Sequence, residues 1–296
     1  MATITDPQTL AFIAATEAAY PADANGASAE ENRRYYNQMC SLFYRGRPEG
    51  LPVTDRAIAG VRCRIYGAET PVVVLYAHGG GYIVGGLESH DDICAEIADA
   101  TGLQVVAVDY RLAPEYRFPA QIGDVGAVWE ALDRPGVVVG DSAGACLVAA
   151  LCLDLRQSGR MPLGQVLIYP GLGGDGSAPS YHENAEAPLL RSSDLAGYSQ
   201  ALLGDQIPTE LSAPLLAGDL EGLAPAFIVS ADVDPLRDDS RDYAAKLAAA
   251  GVPVTWRNEA QLPHGYLRAR ASSDRARRSF GAILVAIARF SGAERW

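Results

Sequence analysis

Gly136-Val137-Val138-Val139-Gly140-Asp141-Ser142-Ala143-Gly144 carries a β-branched run straight into a Gly-x-Ser-x-Gly turn, and the residues after it, to Ser158, have the apolar spacing of a helix. A strand that turns this sharply into a helix leaves the serine at the apex in a strained backbone conformation. Glycine on both sides gives strand and helix room to approach. The helix amino end beneath the serine favours negative charge that develops there. This context predicts a nucleophile elbow that presents Ser142 to a substrate.

The strand-then-helix rhythm repeats outward in both directions. Short apolar runs near residues 59–66, 71–77, 104–109, 165–169, 225–230 and 252–257 predict further strands; helical spacing near 89–100, 119–132, 237–250 and 273–290 predicts helices between most of them. Such alternation specifies an α/β fold with a mostly parallel central sheet covered by helices on both faces. Ligands bind beyond the carboxyl ends of the strands in that architecture. The loops at 78–87, 110–118, 141–145, 231–237 and 261–266 are therefore expected to converge.

Two helix starts precede the sheet: Asp6-Pro7, and the capping box Ser28-Ala29-Glu30-Glu31. They predict helices over 7–19 and 29–43, with Pro21 to Ala27 as a mobile connector. Pro170 to Ala217 is too long for a simple crossover and contains a helix near 193–203. With the N-terminal helices it is expected to cap the site. The expected division is 1–45 as N-terminal helices contributing to a cap and 46–296 as the catalytic domain, with the cap insertion at about 175–215.

With 296 residues, 49% of them hydrophobic, the chain can bury a large single core. A net charge of −12 argues against nucleic acid and anionic membrane surfaces as partners. No apolar run approaches the roughly 20 residues of a membrane-spanning helix, and Met1 to Pro7 shows no leader pattern. Five cysteines without a Cys-x-x-Cys pair suit reduced, buried thiols. The expectation is a cytoplasmic protein with no metal, no cofactor and no cross-links.

His78-Gly79-Gly80-Gly81-Tyr82 closes another central strand. Its glycines put backbone amides within reach of a ligand, and the Gly79 and Gly80 N–H groups, with that of Ala143, are expected to bind an oxyanion. Elbow hydrolases place the acid and then the histidine after the serine. His264, in Pro263-His264-Gly265-Tyr266, is the histidine at the exit of a late strand. His182 sits in the expected cap with no strand before it, while His78 and His90 read as packing and helix-start residues. The acid should leave the strand Ala226 to Ser230, where Asp232, Asp234, Asp238 and Asp239 occur. Asp234 is favoured because Pro235 fixes the turn after it; Asp232 is the alternative, and the other two suit a helix start.

Together these segments resemble the bacterial hormone-sensitive lipase family of α/β-hydrolase esterases. The likeness is carried by His78 to Tyr82, Tyr110-Arg111-Leu112-Ala113-Pro114-Glu115, Phe118-Pro119-Ala120, Gly140 to Gly144, Asp234-Pro235-Leu236-Arg237-Asp238 and His264-Gly265. It implies an α/β-hydrolase fold with a helical cap, and cofactor-free hydrolysis of short to medium acyl or aryl esters through an acyl-enzyme. Ser142, Asp234 and His264 match its triad positions, and Gly79, Gly80 and Ala143 its oxyanion positions. The chain departs from the family at Ala145-Cys146, where a further glycine is usual, and in the short approach Asp133 to Gly136. Tyr82, Tyr181 and Tyr198 are candidate pocket walls, and Arg111 with Glu115 is expected to form an ion pair. Proline in Val252-Pro253-Val254-Thr255-Trp256 belongs on a sheet edge, and the family often dimerises through its last strand, so a homodimer is expected there. The same constellation serves amides, lactones and other acyl donors. A non-catalytic ligand-binding role is opposed by the presence of His264.

Overall fold

The computed structural model describes residues 3–21, 27–174 and 176–293. Most of the expected connector, residues 22–26, lies outside the described residues. In chain order the elements are α1 (Pro7–Ala18), α2 (Ala29–Phe43), β1 (Val53–Ile58), β2 (Val61–Tyr66), β3 (Val73–Ala77), α3 (Asp91–Thr101), β4 (Gln104–Val108), α4 (Ala120–Leu132), β5 (Gly136–Asp141), α5 (Ala143–Asp154), β6 (Gly164–Ile168), α6 (Pro179–Glu183), α7 (Ser192–Leu203), β7 (Ala226–Val233), α8 (Arg237–Ala249), β8 (Val254–Pro263) and α9 (Asp274–Ser291). Asp6 caps α1 by accepting the Thr9 amide at 2.8 Å, and Ser28 and Glu31 form the reciprocal box on α2.

The eight strands form one sheet in the order β1-β2-β4-β3-β5-β6-β7-β8. β1 and β2 are antiparallel to each other, β2 is antiparallel to β4, and the remaining pairs are parallel. The single strand expected near 59–66 is thus half of a hairpin that turns at Ala59-Gly60, both with positive φ. β1 carries no apolar alternation because most of it is exposed. β8 runs on to Pro263 and delivers His264 directly. Pro253 precedes β8, which is the edge strand, and its carbonyl accepts the Ala226 amide at 2.9 Å.

Strand residues alternate between two cores because successive side chains leave opposite faces of a sheet. Val73, Leu75 and Val138 join α4, α5 and α8 through Val125, Trp129, Leu151 and Tyr243. Val74, Tyr76 and Val139 join α3 and α9 through Ile93, Ile97, Ile283 and Ile287. Helix α5 is buried from Ala143 to Leu153, which is why it shows no polar face.

The N-terminal helices take different positions. α1 lies against β8 and α9: Gln261 bonds Thr3 and Thr5, the Asp274 amide donates to the Gln8 side-chain oxygen, and Arg275 pairs with Asp6. α2 reaches the loops at the strands' carboxyl ends through Arg33 and Tyr36. Among the described residues no helix is long and apolar enough to cross a membrane.

Candidate active site

Ser142 follows β5 with φ 53° and ψ −120°, the strained conformation expected of the elbow, and its amide donates to the Ile168 carbonyl at 2.8 Å. The two flanking glycines are required by close approach. A Cβ on Gly144 would collide with the Ala77 carbonyl, and one on Gly140 would lie 2.5 Å from the carbonyl of Gly144. Packing of α5 onto β3 therefore depends on residues with no side chain.

His264, between β8 and the left-handed Gly265, joins two partners. Its Nδ1 lies 2.7 Å from Asp234 Oδ2 and its Nε2 lies 2.8 Å from Ser142 Oγ. Asp234 is fully buried; its other oxygen accepts the Leu236 amide at 2.9 Å. The turn started by Pro235 thus orients the carboxylate while its charge faces the imidazole. Tyr169, whose ring centroid is 4.8 Å from that of His264, packs behind the imidazole.

The structure also separates the alternatives. Asp232 accepts from Asn258 at 2.8 Å and from the Gln261 amide, facing β8 instead of His264. Asp238 takes the Ser180 amide and pairs with Arg237, while Asp239 takes the Leu172 and Gly174 amides and the Tyr181 hydroxyl. Both fasten the 171–181 segment to α8. His182 is exposed on α6, and His78 and His90 are buried behind the elbow.

The glycine loop requires a correction. Gly79, expected among the free donors, spends its N–H on Asp141 Oδ1 at 2.9 Å. Gly80 and Gly81 have amides without a partner among the described residues, and Ala143, at the first position of α5, has no intrahelical acceptor. The available donors are therefore Gly80, Gly81 and Ala143. Nothing local to the glycine run shows that a carboxylate from β5 claims the Gly79 amide.

Asp141 stands at the variable position of the Gly-x-Ser-x-Gly turn, where the motif asks nothing of it. It is buried and accepts from Tyr76 at 2.8 Å, Gly79 at 2.9 Å and Tyr169 at 3.4 Å, with His90 Nε2 also at 3.4 Å. Burial alone would raise its pKa. His90, the Arg268 charge and the Tyr76 hydroxyl outweigh that and hold the carboxyl well below the usual range. Beside it His78 stacks on Tyr110 at 4.2 Å, and burial pushes its imidazole down to about 3, leaving it neutral.

Of the candidate pocket walls, Tyr198 on α7 lies over the loop: a Cβ on Gly81 would be 2.6 Å from its ring. Tyr82 has a positive φ of 65° and its hydroxyl meets the Cys146 thiol. Tyr181 gives its hydroxyl to Asp239 at 2.9 Å, so it fastens α6 to α8. The expected Arg111–Glu115 pair does not form. Arg111 binds Asp124 at 2.7 Å and Glu115 binds Arg33 at 2.6 Å, because the bend after Tyr110 sends the two side chains to α4 and α2 respectively.

Residues 74–268 match the model of a family described as having the alpha/beta hydrolase fold. The chain is 41% identical over 242 residues to an esterase, LipI, of Mycobacterium tuberculosis, covering 73% of this chain and 75% of that protein. It is 32% identical over 266 residues to an ethyl acetate hydrolase of Pseudomonas putida, covering 81% and 83%. A solved esterase structure from the bacterial hormone-sensitive lipase family superposes with a TM-score of 0.90 at 27% identity, covering 99% of this chain and 100% of that one.

Proposed function

We propose a mechanism from one premise: the chain belongs to the α/β-hydrolase fold family, in its bacterial hormone-sensitive lipase branch, and is a carboxylic ester hydrolase. Ser142 is the nucleophile, His264 the general base and Asp234 the group that orients it. The observation that carries this assignment is the continuous chain from Asp234 through His264 to Ser142, with links of 2.7 and 2.8 Å.

His264 Nε2 takes the hydroxyl proton as Ser142 Oγ attacks the ester carbonyl. Asp234 accepts the Nδ1–H, keeps the proton-accepting nitrogen turned to the serine and stabilises the imidazolium. The carbonyl oxygen, now negative, enters the space faced by the Gly80, Gly81 and Ala143 amides, where one such donor contributes about 3 kcal/mol. The alcohol leaves with the proton from His264. A water molecule then repeats the sequence on the acyl-enzyme and releases the acid.

Short to medium acyl or aryl esters are the proposed substrates, a reading supported by a relative named for ethyl acetate. The proposed assembly is a homodimer through the free edge of β8, where Trp256 is 38% exposed. A cytoplasmic location is proposed on the five cysteines, all buried and free of disulfides. Hydrolysis of p-nitrophenyl esters from acetate to palmitate, with Ser142→Ala beside the intact protein, tests the assignment. Activity that peaks at short chains and disappears in the variant supports it; a variant that turns over like the intact protein removes Ser142 from the role.

A further inference from the structure

The loop that carries the oxyanion amides is held in an unfavourable conformation. Gly80, Gly81 and Tyr82 have φ of 128°, 58° and 65° in succession, and the last is a bulky residue in a region that favours glycine. Positive φ is ordinary for the two glycines, but at Tyr82 it persists only where the surroundings over-determine it. Inside the loop, the Gly80 carbonyl accepts the Ile83 and Val84 amides at 3.1 and 3.0 Å. At its start Asp141 holds the Gly79 amide. At its end the Tyr82 carbonyl accepts the Ala113 amide at 2.9 Å.

One further fastening comes from a distant part of the chain. Arg33, on α2, donates from Nε to the Ile83 carbonyl at 2.8 Å and from Nη2 to the Ala113 carbonyl at 2.9 Å. Glu115 grips the same guanidinium through two oxygens at 2.9 and 2.6 Å. A planar fork of this kind can satisfy two carbonyls and grip a carboxylate through both oxygens, four bonds in all, which an ammonium with three N–H groups cannot. Arg33 thereby ties the residue after the strained run to the loop that follows β4, and ties both to the N-terminal helix.

We propose that Arg33 is a positioning residue for the oxyanion hole: its seating on the Ile83 and Ala113 carbonyls keeps the Gly80 and Gly81 amides aimed at the reacting oxygen, so that docking of α2 sets catalytic competence. The proposal rests on the reading of those amides as oxyanion donors. Without the guanidinium, two carbonyls lose their donor and the loop is free to relax out of its positive-φ run. Amides that drift from the oxyanion weaken the transition state more than the bound ester.

The test uses the full chain with Arg33→Met and Arg33→Lys, assayed on p-nitrophenyl butyrate and against a trifluoromethyl ketone that adds to Ser142 as a tetrahedral oxyanion. Arg33→Met is expected to lower kcat about ten- to hundred-fold, less than loss of a donor itself, with KM within about two-fold. The ketone's Ki should rise by the same factor as kcat/KM falls, and Arg33→Lys should be intermediate. The side chain is 26% exposed and belongs to neither hydrophobic core, so the variants are expected to fold. A kcat within two-fold of the intact protein, or a loss explained by fewer titratable active sites, overturns the proposal. If Arg33→Met does not fold, Arg33→Lys decides alone: a five-fold or greater loss of kcat matched in Ki supports it, and less overturns it. The intact protein tests the underlying reading separately. Should the trifluoromethyl ketone bind no tighter than its methyl ketone counterpart, the oxyanion assignment fails; tight binding that Arg33→Met leaves unchanged removes only Arg33.

Discussion

Asp239→Asn is expected to stabilise the protein most above pH 6 and by only about a third as much near pH 4.5. Burial pushes the Asp239 carboxyl up to about 6 from an ordinary 3.8, despite the Leu172 amide, the Tyr181 hydroxyl and the Gly174 amide that it accepts, and the Asp234 charge adds to the rise. A carboxyl whose folded pKa lies above its unfolded one binds more protons in the folded state. Stability from this group is therefore present below pH 4 and lost as pH rises through 6. At about 1.4 kcal/mol per pH unit the cost at pH 8 is about 3 kcal/mol. Asparagine keeps the geometry: its oxygen can accept the Leu172 and Gly174 amides and its NH2 can donate to Tyr181, with no buried charge. For a 296-residue chain the unfolding entropy is about 0.6 kcal/mol/K, so the melting temperature should rise by about 5 °C at pH 8 and by less than about 2 °C at pH 4.5. Melting curves followed by circular dichroism at both pH values measure this. A variant that melts below the intact protein at pH 8, or an equal gap at both pH values, would refute the reasoning.

Other consequences follow from the same contacts. Asp234→Asn should cut kcat about 10⁴-fold by presenting the wrong imidazole tautomer, while Asp232→Asn should stay within about three-fold; steady-state kinetics on one p-nitrophenyl ester separates them. Ser142→Ala should lose at least about 10⁴-fold with an unchanged melting curve. Gly144→Ala forces α5 away from the Ala77 carbonyl and should cost at least about 2 kcal/mol, read by urea unfolding; an undisturbed midpoint would contradict the close approach described at the elbow. Light scattering should give about 63 kDa, twice the 31.3 kDa chain, and a monomer mass at working concentration would rule out pairing through β8.

Order along the chain determined a good deal. The β-branched run into Gly140-Asp141-Ser142-Ala143-Gly144 specifies an elbow because strand, turn and helix are all local, and each leaves its own spacing of apolar and small residues. The parallel layering, the caps of α1 and α2, and the choice of His264 came from the same local signals. Folding decided what depends on distance in space. The exposed β1 has no apolar stripe to betray it, and its pairing with β2 is seen only in the hairpin. Asp234 separates from Asp232 because the turn after β7 faces one carboxylate to His264 and leaves the other beside β8. Gly79 lost its donor role to Asp141, 62 residues away, and Glu115 found Arg33, 82 residues away, in place of its neighbour Arg111. Hydrogen bonds and ion pairs form between atoms a few ångströms apart, and nothing in the spacing of residues along a chain says which distant side chain will arrive there first.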